Sequence, residues 1–150
     1  MDAFQLFLNQ LAALLQLDSL APSKEGACLI IMKASSIPLL FEFDDHIAPN
    51  TIVMSTPIIE VDPPHQELYA YRALQLNSSM EETLSLRAEA MSLYLHRRLS
   101  PYIQIAELKL IIDKFVERAL QTKEIFTHIA QEPLDQTEER APPQAYRFKV

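Results

Sequence analysis

The sequence predicts an α+β domain, an antiparallel sheet with helices packed on it, in the order α-β-β-β-α-β-β-α. Three observations predict it. Apolar residues recur at helical spacing near the start, at Phe4, Phe7, Leu8, Leu11, Leu14 and Leu15. They do so again late in the chain, at Ile105, Leu108, Ile111, Ile112, Phe115, Ala119, Phe126 and Ile129. Between the two stripes lie short β-rich runs, close enough in sequence to pair as an antiparallel meander.

The first helix is expected over residues 2–17, with Asp2 as N-cap and Gln5 as its capping-box partner. The run "LAPSKEG" supplies turn chemistry after it. "ACLIIMK" (27–33), "IPLLFEF" (37–43) and "TIVMSTPIIEV" (51–61) read as strands, the last broken or bent at Pro57. Asp62 and Pro63 signal a second helix start. Its apolar face holds Tyr69, Ala73, Leu76 and Met80, and Leu68, Tyr71 and Leu74 lie around the cylinder among polar residues, as at an interface. Residues 83–99 alternate and fit either a hairpin broken near Glu89–Ala90 or one long bent strand. Ser100 and Pro101 open the last helix, expected over 101–130, with Lys109, Asp113, Lys114, Glu117 and Arg118 on its outer side. One domain over residues 1–130 is therefore expected, followed by a charged, proline-rich tail over 131–150 that is expected to be disordered.

Composition narrows the function. The net charge of -7 repels nucleic acid and anionic membranes. No stretch approaches the roughly 18 apolar residues of a membrane span, and the N-terminus lacks the basic region of a signal peptide. With the single cysteine, Cys28, no internal disulfide forms, and a reducing cytoplasmic setting is expected. Phosphate cradles need several glycines; there is one, Gly26, so a P-loop, a dinucleotide fingerprint and a nucleophile elbow are all excluded.

Chemistry-bearing clusters are sparse. His46, His65, His96 and His128 show no metal-ligand spacing. "DDH" (44–46) and the set Glu60, Asp62, His65 hold metal-ligating types, but loops and helix starts carry acids anyway. Cys28 sits inside an apolar strand, where a thiol is inert. Glu42, Glu60 and Glu89 lack any partner by which general acid–base work is recognised. "HRR" (96–98) suits ion pairing with the chain's own acids, of which there are 20 against 13 bases. No catalytic residue, metal or cofactor is expected.

"IPLLFEF" places Ile37, Leu39, Phe41 and Phe43 on one face and Pro38, Leu40 and Glu42 on the other. Proline is confined to a strand start, a bulge or an edge. Pro38 either opens the strand after Ser35–Ser36 or marks an edge or half-open face that a bound chain covers.

The element order, the apolar first helix, "ACLIIM", the "MSTPIIEVDPP" passage into the second helix and "ALQLN" within it resemble bacterial type III secretion chaperones of class I, the Tir-chaperone type. The resemblance spans roughly residues 3–130. It implies a cytoplasmic homodimer without catalytic residues or a nucleotide cycle, which holds the N-terminal segment of a secreted effector in extended form. It implies a client surface on the first helix and strands, at Phe4, Phe7, Leu11, Ile30, Met32, Pro38 and Leu40. It implies a dimer seam at Leu68, Tyr71, Leu74, Leu84 and Leu86. Which sheet face stays open is not decided by it. Where the family often has a glycine-rich passage after the second helix, this chain reads "NSSMEET". Two other classes fit the bulk properties: an α+β enzyme or small-ligand protein built around Glu42 and His46, and a regulator that titrates a partner protein.

Overall fold

The computed structural model describes residues 2–44, 50–87 and 89–131. The tail beyond Gln131, and with it "YRFKV", lies outside the described residues, as does His46 of "DDH".

Helix α1 (Ala3–Leu14) starts where the Asp2 carboxylate accepts the Gln5 amide at 2.7 Å. The Gln5 side chain does not complete a capping box; it donates to Asn9 Oδ1 and to the Leu20 carbonyl, both at 3.0 Å. The helix ends earlier than expected. Gln16 adopts a left-handed φ of 58°, and the amides of Gln16 and Leu17 return to the carbonyls of Ala13 and Ala12. This is a Schellman stop made by a glutamine, a residue that carries no terminator signal.

Strands β1 (Ala27–Met32), β2 (Ile37–Asp44), β3 (Thr51–Glu60), β4 (Thr83–Arg87) and β5 (Ser92–Leu99) form one antiparallel sheet in the order β1-β2-β3-β5-β4. Residues 83–99 are thus a hairpin. Leu84 and Leu86 stand opposite Leu95 and Leu93, and Met91 takes φ 46° at the turn. β3 shifts register between Pro57 and Ile59, where a break or bend was expected.

The register explains Pro38. β2 is not an edge strand, because β1 lies outside it. Its paired register with β3 ends at Leu40↔Ser55. Continued by two residues, it would set Pro38 against Pro57, two residues without an N–H. The ladder stops where neither side has a donor, so the proline costs no sheet hydrogen bond.

Asp62 does not cap a helix directly. Pro63–His65 form a 3₁₀ turn, Asp62 bonds the His65 Nδ1 at 3.1 Å, and α2 runs over Gln66–Asn77. The passage after α2 needs no glycine, since none of residues 78–82 takes a positive φ. The Ser78 and Ser79 hydroxyls donate to the last carbonyls of α2, those of Gln75 and Leu76. Helix α3 (Ile105–Gln131) begins four residues later than expected. Ser100 anchors a turn instead, accepting the Tyr102 amide on Oγ at 3.2 Å, while Pro101 and Ile103 are buried. Ile105 consequently leaves the buried stripe and is exposed, while Leu108, Ile112, Phe115, Ala119, Phe126 and Ile129 stay in it.

Helices α1 and α3 cover one sheet face. Phe7 meets Phe41 at 5.6 Å between ring centroids, Phe4 meets Phe43 at 6.0 Å, and Tyr69 of α2 meets Phe126 edge-on at 5.6 Å. At about 1.5–3 kcal/mol for each large side chain removed from water, these rings are a main source of stability.

Candidate interaction surface

β-Strand alternation separates the expected client residues onto two sides. Phe4, Phe7 and Leu11 point from α1 into the core and are at most 5% exposed. They hold α1 to the sheet and are out of a partner's reach in this fold. Ile30 and Met32 are partly buried and pack against the same core. Pro38 and Leu40 lie on the opposite, helix-free face and are half-buried.

Two residues complete that face. Leu29 pairs across from Leu40 and Ile31 across from Pro38. They are 62% and 64% exposed. Sequence reasoning missed both by choosing the even-numbered members of β1. The missing information was the register, which decides that the odd-numbered members share a face with Pro38 and Leu40.

β1 is also a sheet edge. In an antiparallel strand the N–H and C=O of one residue point to the same side, and successive residues alternate. The Ala27 carbonyl and amide face outward, bonded to the Ser23 amide at 2.7 Å and to Ser23 Oγ at 3.3 Å. By alternation the outward groups of Leu29 and Ile31 line the same edge. An apolar patch therefore adjoins a strand edge that can accept another strand.

The rest of the open face is mostly polar, with Val53 and Pro57 half-buried among its charged residues. Arg87 lies 4.4 Å from the centroid of the Tyr94 ring and reaches Glu42 at 3.5 Å, and Arg98 pairs with Asp44 at 3.0 Å. Arg97, on the other face, pairs with Glu81 at 2.9 Å. The arginines of "HRR" thus serve ion pairs. Burial, and then the cations of Arg98 and Arg87, hold His96 below its ordinary value.

A second surface lies on α2 and β4. Leu74 is 70% exposed, and Leu86 and Met91 are also exposed. Leu74 and Leu86 line an apolar cleft of about 220 Å³. Leu68 and Tyr71, both half-buried, line a larger cleft of about 450 Å³ against Ile125 and Ile129 of α3. Leu84 is buried and belongs to the core.

For chemistry, Asp62 and His65 of the set Glu60, Asp62, His65 do meet, and among the described residues no three metal-ligating side chains converge. Burial pushes the Cys28 thiol up, away from the thiolate a nucleophile needs. Glu42 is tied to Arg87. No helix among the described residues is long and apolar enough to cross a membrane.

The profile of the Tir chaperone protein (CesT) family matches residues 6–123. The chain belongs to that family. The match runs from α1 into α3 and takes in the whole sheet. No curated protein matches the chain in sequence. Among solved structures, the chain is similar to one in the HopA1–SchA chaperone–effector complex, with a TM-score of 0.64 at 16% identity, covering 83% of this chain and 98% of that one. It is similar to one in the complex of the Yersinia pestis type III secretion chaperone SycH with a fragment of YscM2, with a TM-score of 0.59 at 14% identity, covering 79% and 98%. It is also similar to YbjN from E. coli, proposed as a transcription regulator, with a TM-score of 0.57 at 18% identity, covering 81% and 90%. At such identities the likeness is one of fold. The α+β architecture of the family is the one described above.

Proposed function

We propose that this family member is a type III secretion chaperone that binds an extended segment of an effector and keeps it soluble for export. The observation that carries the reading is the patch of Leu29, Ile31, Pro38 and Leu40 beside the outer edge of β1. An extended chain laid there pairs its backbone with the edge and buries alternate side chains on the patch. Binding of this kind needs no catalytic group, and the chain acts without enzymatic turnover. A second copy packs on α2 and β4, over Leu74, Leu86, Leu68 and Tyr71.

Co-purification from the native cytoplasm tests the reading. The wild-type chain brings down the N-terminal region of one secreted protein. The double variant L29D/I31D, whose substitutions sit on exposed positions, keeps its circular dichroism and melting curve. It loses about 1–2 kcal/mol of binding per site, roughly 5- to 30-fold each. Capture undiminished in that variant would refute the placement of the client.

A further inference from the structure

The sheet has two outer strands, and they are not equivalent. At β4, the side chain of Asn77, the last residue of α2, makes both bonds that a neighbouring strand would make. The Leu84 amide donates to Asn77 Oδ1 at 2.7 Å, and Asn77 Nδ2 donates to the Leu84 carbonyl at 3.0 Å. The carboxamide thus occupies the outward N–H and C=O of one residue, as a peptide unit of an added strand does. Thr83, Ser85 and Arg87 alternate with Leu84 and turn their backbone groups inward to β5. Of the five residues of β4 only Leu86 keeps outward groups for a newcomer. One residue cannot hold a strand. At β1 the corresponding closure, by Ser23, stops at Ala27, and among the described residues the outward groups of Leu29 and Ile31 remain.

We infer that Asn77 is a built-in terminator of the sheet, which closes the β4 edge to strand addition and confines backbone pairing with a client to β1. The inference deepens the proposed function, since it rests on the reading that a partner binds by adding a strand. It also assigns contacts through α2 and β4 to side chains alone. Unclosed edges recruit further chains, and a side chain that mimics a strand removes that hazard without lengthening the sheet.

Hydrogen exchange and light scattering on the free chain test it, without any client. In the wild type the Leu84 amide exchanges about 5- to 10-fold more slowly than the Leu29 and Ile31 amides, as one retained hydrogen bond implies. In Asn77→Ala that protection is lost. The mass then grows with concentration beyond the wild-type value as exposed β4 edges pair. Adding Thr83→Lys to the alanine variant places a charge on the edge strand, at an exposed position on the sheet face away from Leu86, and restores the wild-type mass. A purely structural role for Asn77 lowers the melting temperature but gives neither the growth nor its reversal by lysine. A folded Asn77→Ala chain that loses Leu84 protection yet keeps the wild-type mass overturns the inference. So does a wild type whose Leu84 amide exchanges as fast as those of β1, a result that needs no variant to fold. Either failure leaves the client reading standing. Loss of that reading through L29D/I31D leaves the closure at Asn77 untouched.

Discussion

Gln16 holds a left-handed backbone conformation at the end of α1, φ 58°, with its side chain in solvent. A residue with a Cβ there carries about 1–2 kcal/mol of strain that glycine does not. Part of that gain is returned as the extra chain entropy of glycine in the unfolded state. Gln16→Gly is expected to stabilise the chain by about 0.5–1 kcal/mol, raising the melting temperature by roughly 1–4 °C, readable by calorimetry. His96 is a second case. Burial, Arg98 and Arg87 lower its folded pKa below the ordinary value, so the unfolded chain binds the proton more readily. Stability from this site is complete above the unfolded value of about 6.5 and is lost as pH falls through the folded one. Denaturation midpoints measured from pH 7.5 to 5 therefore fall more steeply for the wild type than for His96→Gln. Equal slopes would remove His96 as the titrating group.

At the scale of elements, β1 is bonded to β2 along one side, and on its outer side Ser23 holds Ala27, with no hydrogen bond to Leu29 or Ile31 among the described residues. The Ile31 amide points outward, away from the β1–β2 ladder, so a proline there removes a donor that the fold does not use. Ile31→Pro is expected to retain the melting curve within about 1 kcal/mol and to lose effector capture, since the added strand loses a pairing partner. Ile30→Pro, one residue away, removes a ladder bond to β2 and is expected to destabilise the chain measurably. The pair of variants separates loss of the outer edge from loss of the fold in a single denaturation and co-purification series. The ends of elements follow similar local logic. Asp62 was legible as helix-start chemistry, yet it holds His65 while Pro63–His65 make the first turn.

For the whole molecule, a chain with net charge -7 carries two apolar surfaces that stand exposed among the described residues, one on β1–β2 and one on α2–β4. A net charge of one sign opposes the self-aggregation that exposed apolar patches favour. Light scattering at micromolar concentration is expected to give twice the 17.1 kDa of one chain. Leu74→Glu, at a 70% exposed position, leaves the subunit folded and weakens self-association by at least about tenfold, the loss of one large apolar contact at a seam. A single-chain mass for the wild type would contradict the seam.

The periodicities of α1 and α3, the alternation in "IPLLFEF" and the proline at position 57 determined the class, the element order outside residues 83–99 and the inward face of β2, because these depend on neighbours along the chain. Local pattern also separated polar from apolar faces on α2. It did not show that Phe4, Phe7 and Leu11 are spent on the core, nor that Leu29 and Ile31 stand uncovered. Burial depends on which strand lies opposite and in what register, and a one-residue shift exchanges the two faces. The tertiary structure alone decided that Pro38 meets the end of a ladder, that 83–99 folds back as a hairpin, and that the carboxamide of Asn77 reaches Leu84. These are matters of pairing between distant segments, which spacing along one segment does not encode.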